Sequence, residues 1–236
     1  NEKKNLVLIS TVHTVYKKFY EKNIKNFSIK HIEKNLQDLE KKCLKRKFFG
    51  KIKLIEKKQT IPYRMFYYQS LEFFKMCIFV KKYVDENKVN LSIIERNSKG
   101  SEMYDFEKDI FQKLFGKNYL TSLDSFEKIE YVIKNKKHLF LTNISTLGRE
   151  ALALNRKSFF FSTLSHHYNP DFFDKNSDFF SMNDDFEDFK KSLNSIFAST
   201  SKNFSESKTK LKFTVPSCEI IKDDFEKFLT STGLEI

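Results

Sequence analysis

Ser145, Thr146, Gly148 and Glu150 lie close together in the stretch His138-Leu-Phe-Leu-Thr-Asn-Ile-Ser-Thr-Leu-Gly-Arg-Glu-Ala-Leu. The order reads as a short strand, a hydroxyl-rich loop and the start of a helix. A helix start leaves its first backbone N–H groups without partners and carries the positive end of the helix dipole. Such a terminus receives a phosphate readily. Gly148 removes a side chain where a ligand or another backbone must come close. Glu150 sits on the first turn, where its carboxylate could accept hydrogen bonds from sugar or ribose hydroxyls. A purely structural reading is equally available: Ser145 or Thr146 caps the helix and Glu150 completes a capping arrangement. Local chemistry leaves both open.

Other chemistry-bearing residues offer less. His13 follows the first apolar run, in a position able to face a cleft, and His166 and His167 are adjacent in an irregular stretch. An adjacent histidine pair lacks the i, i+4 helical spacing of a zinc site, so no metal site is expected, and a packing or surface role is expected for each histidine. The three cysteines, Cys43, Cys77 and Cys218, match no metal spacing and read as buried or idle thiols in a reducing compartment. The formal net charge of +12 invites a nucleic-acid reading. Against it, the lysines are dispersed among acids and arginine is scarce, whereas phosphate and base recognition favours the arginine fork. A solvated basic surface is the plainer reading, and attraction to an anionic membrane surface or glycan fits the same charge.

The elements that must hold the loop alternate in type. Leu6 to Ile9 reads as a buried strand ending in Ser10-Thr11, followed by helix-compatible sequence to about residue 47. Its apolar positions Ile29, Ile32, Leu36, Leu39 and Cys43 share one face. Ile52 to Ile55 reads as a short strand, and Pro62 is expected to keep the chain around Ile61 out of helix. From Phe66 to Asn87 the pattern predicts a long amphipathic helix, then a strand over Asn90 to Glu95 and a loop over 96–100. Helices over Phe106 to Phe115 and Phe126 to Asn135 precede the strand His138 to Leu141. A helix over Leu147 to Leu154, a strand over Ser158 to Ser162, an irregular stretch to Asp185 and a helix over Phe186 to Phe197 complete the pattern. An exposed loop and a closing helix over Asp223 to Leu229 follow. Strands alternating with helices imply an α/β fold with a parallel sheet, and ligands of such sheets bind at the carboxyl ends of the strands.

The 138–162 stretch resembles the Ser-Thr-Leu-Gly-x-Glu-Ala-Leu signature of bacterial surface-carbohydrate biosynthesis proteins, which are similar to GT-B glycosyltransferases. Further features fall in that family's order: the long helix at Tyr67 to Lys82, the strand Val89 to Arg96, the acidic helix at Asp105 to Phe111, and Glu130-Tyr131-Val132-Ile133 before the signature strand. Lys157 to Ser162 and Phe179-Phe180 follow in place. The likeness spans roughly residues 66 to 197. It implies a Rossmann-like domain of the GT-B carboxyl-terminal type, preceded by a helical N-terminal segment, that grips the diphosphate of a nucleotide sugar. By that likeness Ser145, Thr146 and Gly148 form the phosphate-facing loop, with Asn143 and Leu147 of the same loop counted as donor-binding. Glu150 takes the acid facing sugar or ribose, and Arg96 the basic residue that stabilises the leaving diphosphate. Alternatively, Arg96 pairs with Glu95 or Glu102 on the surface. Arg149 stands where the family commonly has an aromatic residue, and the family's downstream tryptophan motifs are absent.

The expectation is a glycosyltransferase of surface polysaccharide synthesis, this chain carrying the donor-binding domain. It would need no cofactor beyond its nucleotide-diphosphate sugar, and its acceptor would be a glycan or a lipid-linked glycan. The rivals are a noncatalytic scaffold of the same fold in glycan assembly, and a basic nucleic-acid-binding protein. Residues 1–65 read as a first strand and helical segment, 66–200 as the core, and 201–236 as a loop and terminal helix. With no leader peptide and no apolar stretch near the roughly 20 residues a span needs, a cytoplasmic protein, peripheral at the inner face of the membrane, is expected.

Overall fold

The computed structural model describes residues 4–12, 16, 17, 20, 21, 31, 32, 34, 36, 38, 61–116, 120, 121, 125–143, 145–161, 180, 181 and 185–200. The expected strand at 52–55, the helix at 223–229 and the candidates His13, His166 and His167 lie outside them. So do Cys43 and Cys218; Cys77 is a buried free thiol whose pKa burial pushes up, which makes it unreactive.

Six strands form one sheet in which every pairing is parallel. They are β1 (Asn5–Ile9), β2 (Asn90–Ile94), β3 (Leu120–Thr121), β4 (Leu139–Thr142), β5 (Lys157–Phe161) and β6 (Phe180–Ser181). The helices whose bounds the described residues fix are α1 (Ile61–Asn87), α2 (Glu102–Phe115), α3 (Ser125–Lys134), α4 (Thr146–Ala153) and α5 (Phe186–Ala198). The strand order is β3-β2-β1-β4-β5-β6. The chain runs outward from β1 to β3, returns beside β1, and runs outward the other way. That is the order of doubly wound dinucleotide-binding sheets, in which the crevice opens where the direction reverses. Here the reversal lies between β1 and β4.

Side chains alternate across the sheet, as the strand pleat requires. Leu6, Leu8, Leu91, Ile93, Leu139 and Leu141 join the main core with α1, α2 and α5. Val7, Ile9, Ile94 and Phe140 face the other way, against Val132 of α3 and Ala151 of α4. The segment 1–65 therefore contributes the central strand of the same sheet that residues 66–200 complete.

Three expectations need correcting. The long helix starts at Ile61, not Phe66, because proline in a first turn lacks only a donor that has no partner there. Nor is it amphipathic along its middle: every residue from Ser70 to Val80 is buried. Glu72 and Lys75 look like a solvent face in sequence, but helical positions from the N-terminal segment cover that side. Tyr16 lies 5.3 Å from Phe73 and Tyr20 5.8 Å from Phe74, ring to ring. Finally, β3 and β6 were not expected; two residues each are too few for an alternating pattern to show.

Local chemistry sets the ends of the helices around the crevice. Ser101 caps α2, its hydroxyl accepting from Tyr104 N at 3.2 Å, and Gly116 ends it at φ 85°. Asp185 caps α5 by accepting from the amides of Glu187 and Asp188. Asn155 (φ 57°) turns the chain out of α4. The Arg156 guanidinium then donates to the carbonyls of Val132, Ile133 and Leu154, closing the end of α3.

Candidate functional site

The carboxyl ends of β1, β2 and β4 meet around a connected set of polar groups. Thr11, just past β1, donates from Oγ1 to Asn143 Oδ1 at 2.6 Å, just past β4. The Tyr16 hydroxyl lies 3.4 Å from Thr11 Oγ1. Burial pushes the Tyr16 phenol up to about 12, against the pull of its bonds to Thr11 and Asn143, so it stays protonated. Asn143 Nδ2 donates to Gln69 O at 3.4 Å, tying α1 to the same point. Arg96 Nη1 donates to Thr11 O at 3.3 Å and Asn97 Nδ2 to Val12 O at 3.1 Å, which brings the β2 exit loop against the β1 exit.

Arg96 is exposed. Neither surface pairing open to it in the sequence forms. Glu102 is bonded to Lys17 at 2.6 Å, and both carboxylate oxygens of Glu95 are buried without a partner. With one guanidinium N–H on a carbonyl, Arg96 keeps the rest of its fork at the crevice rim.

The backbone under Arg96 is held by α2 and α3. The Glu107 carboxylate accepts from the amides of Arg96 (2.8 Å) and Asn97 (3.0 Å) and from Asn97 Nδ2 (2.7 Å). Lys128 Nζ donates to Arg96 O at 3.3 Å. Glu107 is fully buried, on the stripe of α2 that also carries Tyr104, Ile110, Phe111 and Leu114. Sequence reasoning missed it, although an acid at the i, i+3 and i+4 positions of an apolar stripe was the signal that something polar must lie beneath it.

On the β4 side, Ser145 occupies the N-cap position of α4 with extended backbone (φ −142°, ψ 137°), and its hydroxyl makes no capping bond. Ser145 is half-buried and Thr146 exposed. The first-turn donors of α4 are thus not capped by the serine beside them. Glu150 is half-buried, and burial raises its carboxyl above the usual range. Arg149, beside it, is lowered by burial.

The other candidates have structural tasks. Gly148 is buried; a Cβ there would lie 2.6 Å from Thr142 Cγ2 and 3.3 Å from the Phe160 ring. The closely approaching group is therefore the sheet, and the glycine lets α4 lie down on β4 and β5. Leu147 packs against the smaller core cluster. Asn143 is buried with both ends of its amide bonded, so it links β1 to β4 and holds the loop to 145 in place.

The structure thus brings Arg96, Asn143 and the start of α4 together at the carboxyl edge of the sheet, linked through Thr11. It adds Tyr16, Asn97 and Glu107 around them. Among the described residues no group of three His, Cys, Asp or Glu gathers as a metal site, and no helix is long and apolar enough to cross a membrane. Comparison with protein-family profiles, curated proteins and solved structures gave no match.

Proposed function

We propose that the chain is the donor-binding domain of a sugar transferase of the GT-B type, acting in bacterial surface polysaccharide synthesis on a glycan or lipid-linked acceptor. One observation carries the reading. At the point where strand order reverses, an exposed guanidinium with unused donors adjoins, through Thr11 and Asn143, the loop entering a helix whose N-cap hydroxyl is not capping. A pyrophosphate needs that combination: positive charge on one side and free amide donors on the other. In the reaction, the sugar–phosphate bond breaks and negative charge builds on the departing diphosphate. Arg96 and the α4 terminus would stabilise that charge. Glu150 would accept from a hydroxyl of the sugar or ribose.

The Ser145→Ala, Thr146→Ala double variant is expected to weaken binding of a nucleoside diphosphate at least about tenfold, or roughly 1.4 kcal/mol. Titration calorimetry reads this directly, and unchanged affinity would remove the site. A thermal-shift screen against nucleotide sugars separates an active donor domain from a noncatalytic scaffold of the same fold, which should respond to none.

A further inference from the structure

The opposite edge of the sheet has a different character. Because all strands are parallel, the turns that enter them lie along one edge, and these turns are rich in lysine. Lys4 precedes β1, Lys88 precedes β2, Lys134, Lys136 and Lys137 precede β4, and Lys157 opens β5. Strand spacing of about 4.8 Å puts the four central entries within roughly 15 Å of one another. Asn90 N donates to Lys4 O, which joins the first two turns directly. Lys4, Lys88, Lys134, Lys136 and Lys137 are exposed. Of the nearby carboxylates, Asp85 already holds Lys81 and Glu86 holds Lys190, while Glu130 pairs with Lys134 and takes that lysine out of the row.

We infer that this amino edge, through Lys4, Lys88 and Lys136, docks on an anionic lipid bilayer. A headgroup plane asks only for point charges presented together, which lysines on flexible stems supply. Base-selective recognition of a polynucleotide would ask for arginine forks or open aromatic faces, and the described residues of this edge offer neither. Among the described residues of this edge the arginine, Arg156, is buried and bonded to three carbonyls. The edge's rings pack against one another: half-buried Phe197 stacks on buried Tyr83, and half-buried His138 lies 6.0 Å from half-buried Tyr131. With lysines toward the membrane, the crevice at the carboxyl edge would face away from it, open to a dissolved donor.

The test is co-sedimentation of the full chain with vesicles of phosphatidylcholine alone or mixed with phosphatidylglycerol, at low and high salt. Binding should require phosphatidylglycerol and fall with salt. The Lys88→Gln, Lys136→Gln variant should bind at least about tenfold more weakly, given roughly a fivefold contribution per lysine. The charge-matched Lys34→Gln, Lys99→Gln variant, altered at exposed positions elsewhere, should lose far less. Equal losses in the two variants, or no preference for phosphatidylglycerol, would overturn the assignment. So would an edge variant that loses single-stranded RNA binding while keeping vesicle binding. Nucleoside diphosphate affinity should be unchanged in the edge variant, so the donor site and the docking surface can fail separately.

Discussion

Among the described residues, Glu95 carries the least comfortable carboxyl. It is 1% exposed, neither oxygen has a well-formed hydrogen-bond partner, and burial, reinforced by nearby Glu107, pushes its pKa up to about 7, with its own backbone N–H, Lys128 and Lys108 pulling the other way. Its folded value lies above the ordinary 4.5. Its contribution to stability is therefore fully present below about pH 4.5 and is lost as pH rises through about 7. The upper bound on that loss is about 3 kcal/mol. Denaturant titrations at pH 5 and pH 8 should show the native protein weakening across the interval and Glu95→Gln weakening less. Equal slopes in the two proteins would mean that Glu95 ionises as freely folded as unfolded. Local chemistry marked Ser145 and the family resemblance marked Arg96 as candidates, and both lie at the carboxyl ends of the central strands. Glu95 and Glu107 stayed illegible because adjacent acids on a strand end and a helix look solvated until tertiary packing buries them.

Among the elements, α4 lies on the sheet through the one contact that only glycine permits. Gly148→Ala should raise intrinsic helix stability by up to about 1 kcal/mol yet destabilise the protein by about 1–3 kcal/mol. The new methyl would meet Thr142 Cγ2 at 2.6 Å. Pairing it with Thr142→Ser, which deletes that methyl group, should recover part of the loss. A double-mutant cycle that came out additive would show that the two side chains do not compete for the space. The four long strands and the helices between them were readable to within a few residues because apolar runs and capping residues punctuate them. The burial of α1 was not. Its polar residues Glu72 and Lys75 are buried, and its Phe73 and Phe74 rings meet residues far away in sequence, which no periodicity within one helix records.

At the scale of the whole molecule, parallel strands give the fold two unlike edges. The carboxyl edge gathers Thr11, Arg96, Asn143 and the start of α4; the amino edge gathers lysines. Alternation of strands and helices foretold the parallel sheet, and with it the edge on which the loops 96–100 and 142–146 would fall. It did not foretell that β1 and β4 would be neighbours, which is what makes those loops one crevice. The sugar-transfer reading rests on that crevice holding a pyrophosphate. The most direct test is a calorimetric comparison of a nucleoside with its mono- and diphosphate. The expected result is affinity rising with each phosphate, the diphosphate binding at least about tenfold more tightly than the nucleoside. Equal affinities across the three, or no binding by any, would contradict it.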